Sequence, residues 1–123
     1  MAYAFCIDYY GFIQIEASGP TNMTFVLPSG TKIDTEAEGA EEEFAAKEPA
    51  LADGLMKIRE EILADQAFAD RIRHKFEIKN TTGYRLCAFL DGETPLEIFR
   101  RLIIGSEGTL AFVASVTFDT VEL

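Results

Sequence analysis

Thr24-Phe25-Val26-Leu27-Pro28-Ser29-Gly30-Thr31-Lys32-Ile33-Asp34 is the stretch on which the architecture turns. Met23, Phe25 and Leu27 alternate with Thr24 and Val26, the period-two pattern of a strand with one buried face. Pro28-Ser29-Gly30-Thr31 has turn chemistry, because proline presets φ and glycine reaches positive φ without a steric cost. Lys32-Ile33-Asp34 then resumes a short strand, and the whole unit predicts an antiparallel hairpin.

On the N-terminal side, Ser18-Gly19-Pro20 is a break. Before it, Met1 to Ala17 is rich in Tyr, Phe and Ile around Gly11. Phe5, Ile7 and Tyr9 alternate ahead of that glycine, and Phe12, Ile13 and Ile15 follow it. The pattern fits a strand pair or one bent strand, with Gly11 as turn or bulge.

On the C-terminal side, Asp34, Glu36, Glu38, Glu41, Glu42, Glu43 and Glu48 face a single cation, Lys47. A calcium loop needs Asp or Asn at alternating positions and a glycine at its sharp turn. Here the glutamates flank Ala40 and Phe44, so the segment reads as a short helix with a solvated acidic face. Pro49 suits the first turn of a second helix, in which Leu51, Leu55, Ile58, Ile62 and Leu63 recur at helical spacing. Glu48 and Ala52 fall on its solvent side, and Lys57 and Glu61 form an i,i+4 charge pair. Gly54 costs that helix about 1 kcal/mol relative to alanine, which points to close packing. Asp65 caps a third helix with Phe68, Ile72 and Phe76 as its buried stripe and His74 at its solvated end.

Thr94-Pro95-Leu96-Glu97 carries every element of a helix start: an N-cap, a proline at N1 and a glutamate able to reach back to the cap. Leu96, Phe99, Leu102 and Ile103 form its apolar face, Gly105 ends it, and Leu110 to Leu123 alternates as a final strand. Helices lying between hairpins, without regular βαβ alternation, predict an α+β fold: a mainly antiparallel sheet with helices packed on it.

Composition agrees with a globular domain: 123 residues, 48% hydrophobic and 26% charged. The net charge of −10 repels phosphate backbones, and no basic patch offsets it, so no nucleic-acid partner is expected. No apolar run approaches the roughly 18 residues that would span a bilayer. Cys6 and Cys87 match no metal or redox spacing and read as small buried apolar residues. The N-terminus lacks a basic n-region and a cleavage site, which makes a cytoplasmic location the expectation. His74 is the only histidine, which removes multi-histidine metal sites and argues against a histidine-based triad.

Two segments carry possible chemistry. Lys79-Asn80-Thr81-Thr82-Gly83-Tyr84 is polar and turn-prone yet ends in an aromatic. Gly105-Ser106-Glu107-Gly108-Thr109-Leu110 places two glycines three apart between a helix and a strand. Such spacing permits a tight backbone with exposed N–H groups, suited to a phosphate or a planar ring. It is not a P-loop, since no Gly-Lys-Ser/Thr follows, nor a dinucleotide fingerprint, which would open a helix.

Taken with Phe25-Val26-Leu27-Pro28-Ser29-Gly30-Thr31, these segments occur in an order that resembles a known family. It is the second half of the FAD-binding domain of flavin-linked D-lactate, glycolate and 2-hydroxyglutarate dehydrogenases, in the p-cresol methylhydroxylase and vanillyl-alcohol oxidase group. The resemblance spans residues 23–120 and is closest to the large members that carry an additional iron–sulfur region. It implies a partial FAD-binding subdomain over residues 21–123, preceded by a strand segment, residues 1–20, that does not match. Gly105, Ser106, Glu107, Gly108, Thr109 and Leu110 match the family's flavin-side turn and strand start, with Phe112 and Val113 in its apolar positions. Those eight are the implied cofactor-binding residues. Lys79, Asn80, Gly83 and Tyr84 match a second motif whose implied role is architectural.

The sequence departs from the family at several points. Ala111 stands where a glycine is usual, and its methyl would narrow the approach to the cofactor; Arg85 replaces the usual Asp after the tyrosine. The glycine-rich pyrophosphate segment and the Asn-Ala-Ser-Gly stretch have no match, and Phe5 to Gly19 stands in place of the latter. The substrate-binding cap domain would follow Leu123. The implied function is therefore part of an FAD-dependent 2-hydroxyacid dehydrogenase, inactive alone, with the missing flavin subdomain and substrate domain as its partners. No catalytic residue or metal ligand is assigned within this chain. The alternative is a non-enzymatic module that self-associates as a homo-oligomer, using the Tyr3–Ile15 region as an added edge.

Overall fold

A computed structural model describes residues 3–4, 14–15, 21–78 and 82–117. Strands β1 (Tyr3–Ala4) and β2 (Gln14–Ile15) pair antiparallel, with Tyr3 opposite Ile15, which is the strand-pair alternative for these four residues. The alternating Phe5, Ile7, Tyr9, Phe12 and Ile13, together with Cys6, lie outside the described residues, as do Lys79, Asn80 and residues 118–123.

The hairpin forms as its sequence predicts. Strand β3 (Asn22–Val26) pairs antiparallel with β4 (Lys32–Asp34) in the register Thr24–Asp34, Phe25–Ile33 and Val26–Lys32. Gly30 sits at φ +88°, its N–H bonds the Leu27 carbonyl at 2.8 Å, and the Leu27 N–H bonds the Thr31 carbonyl at 2.9 Å. This is a turn closed by a left-handed glycine, a geometry that fixes the register of the two strands. On its other side β3 pairs antiparallel with β5 (Phe112–Thr117), giving the order β4-β3-β5. The register shifts between Thr24–Ser115 and Phe25–Val113, leaving Ala114 as the extra residue of a β-bulge.

Five helices join the hairpin to β5: α1 (Ala40–Lys47), α2 (Pro49–Ala64), α3 (Gln66–Phe76), α4 (Ala88–Asp91) and α5 (Pro95–Ile103). The fold is α+β with a small antiparallel sheet. Among the described residues, no helix is long and apolar enough to cross a membrane. The sheet's inner face, Met23, Phe25 and Ile33, packs on a core containing Phe44, Ile98, Phe99 and Leu102. The Phe99 ring lies 5.3 Å from that of Phe25 and 5.7 Å from that of Phe44, tilted to both. Each such fully buried side chain stabilises the fold by roughly 1.5–3 kcal/mol.

Both expected caps form, one with a shift. The Asp65 carboxylate accepts from the Phe68 N–H at 3.0 Å and the Thr94 hydroxyl oxygen from the Glu97 N–H at 3.3 Å. Glu97 reaches back to the Glu93 N–H at 3.0 Å, one residue beyond the cap, and this bond foremost holds its carboxyl below the ordinary value.

Helix α2 corrects the sequence reading at four positions. Its inward arc is Ala52, Leu55 and Ile62, whereas Ile58 and Leu63 are 44% and 40% exposed. Ala52, assigned to solvent, is buried because α2 packs against α1, α4 and α5 and a small side chain lets the helices approach. Gly54 has nothing within 4 Å of where a Cβ would stand, so close packing does not explain it. In α3 the buried residues are Ala69 and Ile72, while Phe68 is exposed.

The acidic segment is also more than a solvated face. Glu36, Glu38 and Glu42 are exposed, but Glu41 turns to the start of α5. There it accepts from the Thr94 hydroxyl and, at 3.3 Å, from the Leu96 N–H, where the helix dipole favours an anion. Glu48 accepts from the Ser29 hydroxyl and, at 2.5 Å, from that of Thr31, tying the hairpin turn to the α1–α2 junction. Those two bonds lower its carboxyl below the ordinary 4.5.

Candidate functional site

The segment after α5 is shaped by backbone chirality. Gly105, Glu107 and Gly108 lie at φ +79°, +53° and +74°. Glycine tolerates this region and a side chain resists it. An added Cβ at Gly105 or Gly108 meets nothing within 4 Å, so conformation and not space calls for glycine. Two turns follow in succession. The Ser106 N–H bonds the Ile103 carbonyl at 3.0 Å, and the Ser106 carbonyl accepts from the Thr109 N–H at 3.0 Å and the Thr109 hydroxyl at 2.6 Å. Ser106 is buried beneath them.

This loop and β5 enclose an open groove of about 480 Å³. Gly105, Ser106, Glu107 and Gly108 line one side of it, and Phe112, Val113 and the strand through Val116 line the other. Six of the eight implied cofactor-binding residues thus surround one space. Thr109 and Leu110 do not line it: Leu110 packs against the core, and Thr109 is engaged by Tyr84. Ala111 borders the groove but is buried among core residues. Among the lining residues Glu107 is the only ionisable one, and none is a cation. The Glu107 and Gly108 N–H groups bond no described residue, leaving two backbone donors at its wall.

No family model, curated protein or solved structure matches this chain.

The second motif meets the first through one contact. Gly83, at φ +73°, turns the chain so that the Tyr84 hydroxyl lies 2.9 Å from Thr109 Oγ1. A tyrosine ending a polar run was the only signal of this in the sequence. Arg85 is buried, donating from Nε to Cys87 Sγ at 3.1 Å, with Nη2 3.5 Å from an Asp91 carboxylate oxygen. It is a core residue in this fold, not a groove residue. Burial pushes the Cys87 thiol up, against the pull of Arg85, which leaves it a poor nucleophile. Among the described residues, no group of three His, Cys, Asp or Glu side chains is placed to hold a metal ion.

Proposed function

We propose that the groove between the Gly105–Gly108 loop and β5 is a cofactor surface for FAD, within the FAD-binding domain of a 2-hydroxyacid dehydrogenase. The observation that carries this reading is that Gly105, Ser106, Glu107 and Gly108, four of the six residues matching the family's flavin-side run, line one groove together with Phe112 and Val113. The donor set fits part of the cofactor and not the rest. A wall of strand backbone, small side chains and two free N–H groups suits a flat, uncharged ring system. A dianionic diphosphate would find no cation here and would face Glu107. This chain therefore binds the neutral, planar portion, and the charged linker rests on groups it does not supply. FAD, when bound, is the hydride acceptor for the substrate's α-carbon. Within this chain, the backbone of residues 107–108 orients the ring, and β5 keeps water from one face.

Visible absorbance tests the reading: the purified protein is incubated with excess FAD, desalted and scanned. Retained flavin bands that Gly108→Val removes are the expected result, because a β-branched side chain is strained at φ +74°. A colourless wild-type protein would count against FAD binding by this chain. The second reading, self-association without a cofactor, is favoured by β5, which among the described residues pairs with β3 alone and leaves Phe112 71% exposed. A colourless dimer in sedimentation velocity is its signature.

A further inference from the structure

A second cleft lies away from the groove, where α3 meets residues 82–86. It encloses about 150 Å³. Phe68, Ile72 and Phe76, three successive i,i+4 positions of α3, form its floor, and Tyr84 and Leu86 close the other side. Phe68, Tyr84 and Leu86 are each 39% exposed or more, an apolar lining open to solvent. Arg71 and Lys75, also i,i+4 on α3, stand at its rim. They bond no described residue, whereas neighbouring Arg73 pairs with Asp70 and His74 with Glu77. In a chain of net charge −10, two cations left without a carboxylate beside an open aromatic lining form a charge-complementary pair of features.

We infer that this cleft is a binding site for a small anion with one apolar ring, an aromatic monocarboxylate. The volume is that of a cavity known to take one benzene ring, roughly 150 Å³. Arg71 and Lys75, one turn apart on α3, line the same cleft and are the two groups on which a carboxylate of the ring would rest. A ring on Phe68 and Phe76 gains edge-to-face or offset contact, and the carboxylate gains two charge-assisted donors. Tyr84 contributes its ring to this cleft while its hydroxyl holds Thr109, so the site adjoins the loop without sharing the groove.

Backbone amide NMR of the ¹⁵N-labelled protein, titrated with sodium benzoate at constant ionic strength, tests the inference. Expected are saturable shifts confined to residues 68–76 and 82–86, and weaker binding of benzamide, which keeps the ring and loses the charge. Arg71→Gln/Lys75→Gln, two exposed positions, raises the dissociation constant about tenfold with an otherwise unchanged spectrum. Tyr84→Phe keeps the ring and retains binding. The proposal is overturned by any of three results: no saturable shift with benzoate, equal affinity for benzamide, or no effect of the double variant. Shifts at the same residues on raising protein concentration without benzoate would assign the cleft to a second copy and overturn it too. None of these outcomes bears on flavin retention.

Discussion

The Tyr84 hydroxyl donates to Thr109 Oγ1 across 2.9 Å. The direction follows from proton count: the single Thr109 hydroxyl proton is committed to the Ser106 carbonyl at 2.6 Å, so Thr109 can only accept from the tyrosine. The chain Tyr84–Thr109–Ser106 ties residues 25 positions apart and pins the loop that lines the groove.

Tyr84→Phe removes that donor alone. Because the contact is exposed, the expected loss of stability is below about 1 kcal/mol. The local effect is larger: amide hydrogen exchange across residues 105–110 should accelerate, while α2 and β3 are unchanged. Equal exchange in the variant would show that the loop holds its shape without the tyrosine.

Gly54→Ala should stabilise the protein by about 0.5–1 kcal/mol. The new methyl meets nothing within 4 Å, and the unfolded chain loses freedom it must otherwise surrender in α2. A thermal midpoint raised by a few degrees is the readout; a lowered one would mean that the glycine serves something the packing does not reveal.

Gly92→Ala should act in the opposite sense. A Cβ there would lie 2.8 Å from Ile98 Cγ1 and 3.0 Å from both the Ala88 carbonyl oxygen and the Ile98 nitrogen. Two of those three atoms are backbone and cannot swing aside. The Gly92 carbonyl also receives the Arg59 Nε–H at 2.9 Å, so a shift of the loop breaks a link to α2. The expected loss is about 1–3 kcal/mol, seen as a lower urea midpoint at unchanged slope.

Acid should weaken the hairpin anchor. The Glu48 carboxyl is lowered in the folded state by the Ser29 and Thr31 hydroxyls. A depressed carboxyl stabilises above its unfolded value, near 4.5, and that contribution is lost as pH falls through the lower folded value. Ser29→Ala/Thr31→Val should therefore flatten the decline in urea midpoint below about pH 4.5 relative to wild type. Glu97 titrates in the same direction through its bond from the Glu93 N–H, so some decline persists in the variant.

Local signals in the sequence were legible where one residue type dictates one geometry. Gly30, Asp65 and Thr94 announce a turn and two helix starts because their side chains, or the lack of one, act on the nearest backbone. The α2 face was misread because periodicity cannot tell which of two overlapping arcs faces the core; the neighbours α1, α4 and α5 settle it in favour of Ala52 over Ile58. Helix α4 left no signal, being a single turn without a polar cap. The groove was half legible. Its glycines mark the loop, but the Ala114 bulge and the Tyr84–Thr109 bond depend on tertiary pairing that no local pattern encodes.

The place of β3 in the sheet has a consequence for biosynthesis. Its N-terminal neighbour, Thr21, bonds the Thr117 carbonyl through both its N–H and its hydroxyl, 96 positions along the chain. The β4 edge is satisfied almost at once, since the hairpin is local. The other edge must wait for β5 to be translated, several seconds at roughly 5–20 residues per second. Through that interval the ladder on the β5 side of β3 stays open. Until β5 emerges the nascent chain therefore carries an unpaired strand edge at residues 22–26, the kind of edge through which incomplete chains misassemble.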